Sequence, residues 1–116
     1  MFNHARQGDT EDLEKYLKLG LPRNLSNHKG DSLLMLAAYY GHFDTCKLLI
    51  KMGADVNKLN DKQQSILAGV IFKKEDNIVK LLLENGADPK IGTPNAIQTA
   101  QMFQRQDLLS LMGVSN

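Results

Sequence analysis

The sequence predicts an all-α protein, a single-domain solenoid of stacked helix–turn–helix units. Gly20, Gly53 and Gly86 each follow an apolar run and lie 33 residues apart, and a fixed period of this size is typical of stacked units. The neighbouring residues recur in register, since Ala54-Asp55 is repeated as Ala87-Asp88. Each apolar run is shorter than the roughly 12 residues that an isolated helix needs in water, so the units must bury their apolar faces against one another.

The first unit, residues 1–26, is predicted to cap the row at its N-terminal end. Thr10 is expected to cap a helix over residues 11–19, because its hydroxyl can accept a hydrogen bond from the first helical turn. Gly20 then ends this helix, since glycine adopts the left-handed conformation of a helix C-terminus without Cβ strain. The apolar stripe of the helix, at i, i+3 and i+4, consists of Leu13, Tyr16 and Leu17.

The second unit, residues 27–59, is predicted to hold helices over residues 33–40 and 44–51. Asp31 or Ser32 is expected to cap the first of them, since both side chains can accept a backbone N–H. The core residues predicted from helical spacing are Leu34, Ala37, Ala38, Cys46, Leu49 and Ile50.

The third unit, residues 60–92, keeps the register but is predicted to be the least stable. Gln63 and Lys74 stand where the second unit has glycines, and a left-handed backbone at a non-glycine residue costs roughly 1–2 kcal/mol. Gly69 lies inside a predicted helix and costs about 1 kcal/mol relative to alanine. The two helices of this unit are predicted over residues 66–72 and 76–85.

The fourth unit, residues 93–116, is predicted to be a shortened C-terminal cap. Ala100 corresponds to Ala37 at an offset of 63 residues, three fewer than two full periods. Pro94 is expected in the first helical turn, and the last three residues are expected to fray. The polar outer face is predicted at Gln98, Gln101, Gln104, Arg105 and Gln106, and the closing core at Leu108, Leu109, Leu111 and Met112.

The clearest segment of the repeat, residues 30–38, resembles the G-x-T-P-L-H-x-A-A segment of the ankyrin repeat family. Gly41-His42 and the segment 53–57 resemble the inter-helix turn and the terminal loop of that repeat. Leu33 replaces the usual proline and Met35 the usual histidine, which implies a looser helix start and one fewer link between units. The resemblance implies an ankyrin-repeat solenoid over nearly the whole chain, with β-hairpin-like loops projecting from the helical stack. Residues 30–41 and 93–102 also resemble small stand-alone ankyrin proteins of bacteria.

Charge and composition narrow the choice of partners and compartment. The chain carries 14 Lys and Arg against 13 Asp and Glu, a net charge of +1, so we expect no basic stripe for nucleic acid. No apolar run approaches the roughly 20 residues that span a bilayer, and the first six residues lack the pattern of a secretory signal. The single cysteine excludes an internal disulfide and fits a reducing compartment. We therefore predict a cytoplasmic protein that binds neither nucleic acid nor a membrane. We expect it to be a monomer, although self-association is possible.

Residues suited to catalysis or metal binding are few and scattered. His4, His28 and His42 are 14 or more residues apart and form no ligand pair of the H-x-x-x-H kind. His42 lies in the Gly-His turn, where the resemblance implies bonds to neighbouring backbone. Cys46 aligns with Val79 of the next unit, which predicts a small buried hydrophobe. The chain has no nucleophile elbow and no phosphate loop, so we expect no enzymatic activity and no cofactor.

The resemblance places partner binding on the loop tips and on the exposed end of the first helix of each unit. Tyr39, Tyr40 and Phe72 fall at such positions, and aromatic residues amid mixed charge are typical of interface hot spots. The alternative is that one or two of these rings only pack between neighbouring helices, which suits Tyr40 better than Tyr39. The predicted partner-binding residues are His28, Lys29, Asp31, Tyr39, Tyr40, Leu59, Asp61, Lys62, Gln64, Phe72 and Lys73.

The function predicted from these features is non-catalytic recognition of another protein through the concave face and loop tips. An alternative is a small-ligand binding protein or chaperone, for haem or a metal ion, that uses His28 and Met35 near the aromatic residues. A third possibility is a scaffold whose concave face binds a second copy of itself.

Overall fold

The computed structural model describes residues 1–114 and confirms the all-α solenoid. The helix bounds given in the sequence analysis agree with those of the structure to within one residue at each end. Ser115 and Asn116, which belong to the predicted fourth unit and to the segment expected to fray, lie outside the described residues. The helices in residues 1–114 are α1 (Phe2–Gln7), α2 (Thr10–Lys18), α3 (Leu33–Tyr39), α4 (Phe43–Lys51), α5 (Ile66–Phe72), α6 (Asp76–Glu84), α7 (Ala96–Met102) and α8 (Gln106–Leu111).

The helices form consecutive pairs that pack side by side in an elongated row measuring 47 × 25 × 21 Å. The first helix of each pair contacts the first helix of the next, so α1, α3, α5 and α7 make one layer. The second helices α2, α4 and α6 make the other layer in the same way. Each unit therefore buries its apolar face against its sequence neighbours, as a solenoid requires. The division of the chain at residues 26, 59 and 92 stays a prediction.

Side-chain caps begin the first helices of the last three pairs. The hydroxyl of Ser32 accepts the N–H of Met35 at 3.1 Å, which decides between the two predicted caps. Ser65 and Asn95 cap α5 and α7 in the same way. Because Asn95 is the cap of α7, Pro94 lies before the helix, and its expected place in the first turn was wrong.

Thr10 does not cap α2, contrary to the sequence expectation. The helix begins at Thr10 itself, after Asp9, and no side chain caps its end. The Thr10 hydroxyl instead shares a 2.7 Å hydrogen bond with the hydroxyl of Thr45 in the next pair. This residue therefore joins two units rather than starting one helix.

The backbone is left-handed at both positions where the third unit has another residue in place of a glycine of the second unit. Gln63 has φ of 62° and Lys74 has φ of 61°, so each carries the strain of a non-glycine residue in this region. Gln104, at the corresponding turn of the last pair, has φ of 56° and was expected only to be polar. All three residues lie in the C-terminal half of the stack.

The predicted core is largely confirmed, with two exceptions. Ala37, Ala38, Cys46 and Leu49 are fully or almost fully buried, whereas Ile50 and Met112 are only half-buried. The first four belong to one cluster of buried apolar residues that extends from α1 to α8. The exceptions are Tyr16, which is 38% exposed, and Leu111, which is 51% exposed.

Both exceptions follow from position in the row. The Tyr16 ring lies on the outside of the stack, 6.2 Å from the His4 ring. In the last pair of the described residues, Leu108 and Leu109 fill the side that faces the stack, and this leaves Leu111 in solvent. Val114 is half-buried, and its N–H donates to the Leu109 carbonyl at 2.9 Å, so it is not frayed.

Polar side chains link successive units at intervals of one period. The Asn24 side chain accepts the N–H of Asp55 at 2.8 Å, and Asn57 accepts that of Asp88 at 2.7 Å. The His42 ring donates through Nε2 to the carbonyl of Arg6 at 2.6 Å, as the predicted structural role requires. These bonds fix the register between successive pairs.

An ion-pair cluster closes the C-terminal end of the stack. Arg105 Nη2 donates to Asp76 of α6 at 2.7 Å and to Asp107 of α8 at 2.9 Å. The hydrogen bond from Arg105 lowers the pKa of Asp107 below its ordinary value. The cluster therefore ties the last pair to the pair before it.

Among residues 1–114, no helix is both long enough and apolar enough to cross a membrane.

Candidate functional site

A groove of about 580 Å³ runs along the first-helix layer, between the helices and the projecting loops. Its floor is apolar and includes Met35, Leu36 and Ile66, while its rims are polar and aromatic. The size lies within the range of ligand-binding clefts. The lining residues that reach the rims are Arg6, His28, Lys29, Asp31, Tyr39, Tyr40, Gln64, Phe72 and Met102.

Two asparagines, Asn27 and Asn60, hold the loop tips that form one rim. The Asn27 side chain accepts the N–H groups of Lys29 and Asp31, each at 3.0 Å. Asn60 does the same one period later for Lys62 and Gln64, at 3.1 and 2.9 Å. Such side-chain-to-backbone bonds fix a turn without any strand pairing.

The two loop tips are also joined to each other. Asn60 Nδ2 donates to Asp31 Oδ1 at 2.9 Å, and the N–H of Asp61 donates to the Lys29 carbonyl at 3.0 Å. The only β-type pairing in residues 1–114 is an isolated antiparallel bridge between Ser26 and Ser32. The rim is therefore held by side-chain and backbone hydrogen bonds without a β-sheet edge.

The opposite rim is a row of exposed apolar side chains at the ends of the first helices. We call Tyr39, Tyr40, Phe72, Met102 and Phe103 the helix-end row. Their exposed fractions lie between 40 and 64%. The two tyrosine rings meet edge to face at 5.9 Å between centroids, and the two phenylalanine rings do so at 5.7 Å. Exposed large apolar residues in a continuous row are typical of an interaction surface.

The alternative that a ring only packs between neighbouring helices suits Tyr39 better than Tyr40, the reverse of the expectation. At 54% exposed, Tyr40 is more accessible than Tyr39, at 41%, so it is Tyr39 that packs more closely against a neighbouring helix. A methyl group built at Gly69 of α5 would lie 3.7 Å from Tyr39 Cδ1, which shows how closely the ring approaches that helix. Lys73 Nζ lies 4.8 Å from the centre of the same ring, within cation–π distance.

Seven of the eleven predicted partner-binding residues line one groove. Leu59, half-buried on the connecting arm, does not line it, and neither do the exposed residues Asp61, Lys62 and Lys73. Lys73 nevertheless adjoins the rim through Tyr39. The seven that line the groove are His28, Lys29, Asp31, Tyr39, Tyr40, Gln64 and Phe72.

Sequence reasoning missed several contributors to the groove and its rim, among them Arg6, Met102 and Phe103. The signal was present, because Arg6 precedes Tyr39 by one period and Met102 follows it by the 63-residue offset of the shortened unit. Extending the period to both ends of the chain would have found them.

Reactive side chains lie away from this groove, with one exception. Cys46 is fully buried in α4, and burial raises the pKa of its thiol to about 12. His4 Nδ1 lies 2.9 Å from a carboxylate oxygen of Asp9 and 3.7 Å from one of Asp12, at the α1–α2 junction. The exception is His28, which lines the groove together with the largely buried Met35.

The fold is a helical-repeat solenoid with a groove along its first-helix layer. A sequence profile of ankyrin repeats in three copies matches residues 1–93, so the chain belongs to the ankyrin repeat family, as its sequence motifs indicated. Proteins of this family are generally protein–protein interaction modules and are typically non-enzymatic.

A bacterial relative shares part of the repeat. Over 48 residues the chain is 62% identical to an ankyrin repeat protein of Pseudomonas aeruginosa. The matched segment is 41% of this chain and 28% of that relative, so the chain spans less than a third of the relative it matches.

Proposed function

We propose that this chain is a non-catalytic recognition module that binds a partner protein through the groove and the helix-end row. The observation that supports this most is the row itself: five large apolar side chains are exposed on a rim that the packed helices hold in place. A folded protein ordinarily buries such residues or uses them in an interface. We place the protein in the cytoplasm, where a single reduced thiol is stable.

The scaffold reduces the entropic cost of binding. Asn27 and Asn60 already hold the loop tips, and helix packing already sets the positions of the aromatic rings. Neither therefore needs much ordering when a partner binds. With four short units, the contact area stays at or below the standard interface of about 800 Å² per partner. We therefore expect affinity nearer micromolar than nanomolar for an isolated contact.

The double substitution Tyr39→Ala/Phe72→Ala tests the proposal. Both side chains are at least 41% exposed, so the thermal unfolding midpoint should stay nearly unchanged while binding is lost. Leu19→Ala/Leu111→Ala is a matched control, because these leucines are 74% and 51% exposed outside the groove. We expect the wild type and the control to retain proteins from native cell extract that the groove variant does not retain. Retention of the same proteins by all three would refute the assignment of the site.

A second candidate function is binding of haem or a metal ion, supported by the presence of His28 and Met35 in one groove. Haem or Zn²⁺ added to the purified protein should then change the absorption spectrum or the unfolding temperature, and His28→Ala should abolish the change. Sedimentation at several protein concentrations tests self-association through the same face.

A further inference from the structure

The groove is lined by two cations and one carboxylate, and two further lysines lie at neighbouring or equivalent positions. Arg6 and Lys29 line the groove, and Lys73 lies over the Tyr39 ring. Lys62 is the equivalent of Lys29 one period later. Among the described residues, no carboxylate oxygen lies within 4.0 Å of the charged nitrogens of these four residues. A partner that brings carboxylates would therefore meet cations that have no other ionic partner.

The acidic residues on the same side offset these cations only in part. Asp31 and Asp61 are two carboxylates against four cations, although the whole chain has a net charge of only +1. One oxygen of Asp31 already accepts a hydrogen bond from Asn60 at 2.9 Å. The positive bias is confined to the first three units, because the C-terminal part of the rim consists of Met102 and Phe103.

The apolar anchors repeat along the groove with the spacing of packed helices. Tyr39, Phe72 and Met102 occupy equivalent positions at the ends of α3, α5 and α7, which contact one another in sequence. Packed helices lie about 8–10 Å apart, so successive anchors have about that separation. An α-helix laid along the row presents one residue about every 10.5 Å when the residues are seven apart.

A helical partner also suits the hydrogen-bonding character of the rims. An extended peptide gains affinity by adding a strand to an open sheet edge, and the described residues form no sheet. A helix satisfies its own backbone and needs only an apolar groove with polar rims. We propose that the groove receives an amphipathic α-helix of a partner protein, with apolar residues seven apart on the helix-end row and acidic residues beside the four cations Arg6, Lys29, Lys62 and Lys73. This inference rests on the proposed recognition function and specifies its ligand.

Selection from a display library of random peptides tests this inference. The wild type should enrich peptides that have Asp or Glu beside apolar residues at helical spacing and that gain helical circular dichroism on binding. The triple substitution Lys29→Glu/Lys62→Glu/Lys73→Glu should bind these peptides at least about tenfold more weakly and should select basic peptides instead. Lys47→Glu/Lys51→Glu/Lys80→Glu makes the same change in net charge at exposed positions of α4 and α6, and it should bind within about twofold of the wild type.

The possible failures separate the two proposals. In one failure, the selected peptides depend on Tyr39 and Phe72 but show no enrichment of Asp or Glu; in another, they bind without becoming helical. Either result would overturn the inference and leave the recognition function standing. Equal weakening by both lysine triples would also overturn it, because the effect would come from net charge alone. If no selected peptide depends on Tyr39 and Phe72, the recognition function fails and the inference fails with it. Thermal unfolding of every variant confirms that the comparison is between folded proteins.

Discussion

Replacement of Gly69 by alanine should stabilise the protein, although the residue touches the proposed binding surface. Gly69 is inside α5 with an ordinary helical backbone, and alanine there is favoured by about 1 kcal/mol through helix propensity. The added methyl would lie 3.7 Å from Tyr39 Cδ1, which is ordinary van der Waals contact and needs no movement. The expected gain is therefore about 1 kcal/mol, or an increase of about 4 °C in the unfolding midpoint.

Gly30→Ala makes the same chemical change and should have the opposite effect. Gly30 has φ of 78°, where alanine is strained by roughly 1–2 kcal/mol. Its methyl would also lie 2.7 Å from the backbone nitrogen of Asp61, which has no flexible end to move aside. We expect a loss of at least about 2 kcal/mol, with the loop-tip rim disturbed.

Urea unfolding followed by circular dichroism measures both variants against the wild type. The two alanines should change the free energy of unfolding with opposite signs. In a Tyr39→Ala background, Gly69→Ala should retain its gain to within about 0.5 kcal/mol, because the helix and not the ring contact supplies it. A destabilising Gly69→Ala variant would refute the reasoning and would mean that the ring and α5 are already in tight contact.

Three further outcomes are expected from the remaining features. Cys46 should not react with a thiol reagent at pH 8 in the folded protein but should react fully in urea, because a pKa of about 12 leaves about one thiol in ten thousand ionised. Lys74→Gly should raise the free energy of unfolding by up to about 1 kcal/mol, since relief of left-handed strain exceeds the added chain entropy; a loss would contradict this. Arg105→Met should lower the unfolding midpoint at neutral pH. The folded pKa of Asp107 is depressed, so its contribution to stability is present above about pH 3.8 and is lost as the pH falls further; acid titration should show a smaller loss for the variant, and equal losses would argue against the ion pair.

The period in the sequence made the helices and their order predictable. Glycines 33 residues apart locate the turns, and the apolar residues between them locate the buried faces, because both depend on local backbone and spacing. The left-handed conformation of Gln63 and Lys74 could be predicted for the same reason. Gln104 could have been found by extending the comparison through the shortened unit.

The groove itself was only partly predictable from the sequence. Which rings stay exposed depends on neighbours that are not close in sequence, as Tyr39 against Gly69 illustrates. The loop-tip rim depends on hydrogen bonds between Asn60 and residues of two loops, and no short motif encodes such a contact. The helix caps were also ambiguous, since the side chains of Thr10 and Asp31 have the right chemistry but bond elsewhere.

The concentration of left-handed Gln63, Lys74 and Gln104 in one half of the row has a consequence for local unfolding. In a stack whose units contact only their neighbours, the C-terminal pairs should open before α1–α4, and their amide hydrogens should exchange with solvent first. Opening there would release Phe72, Met102 and Phe103 while Tyr39 and Arg6 stay ordered. A bound partner would then disfavour the local unfolding of the C-terminal pairs. The amide protection gained on binding should be greatest in α7 and α8.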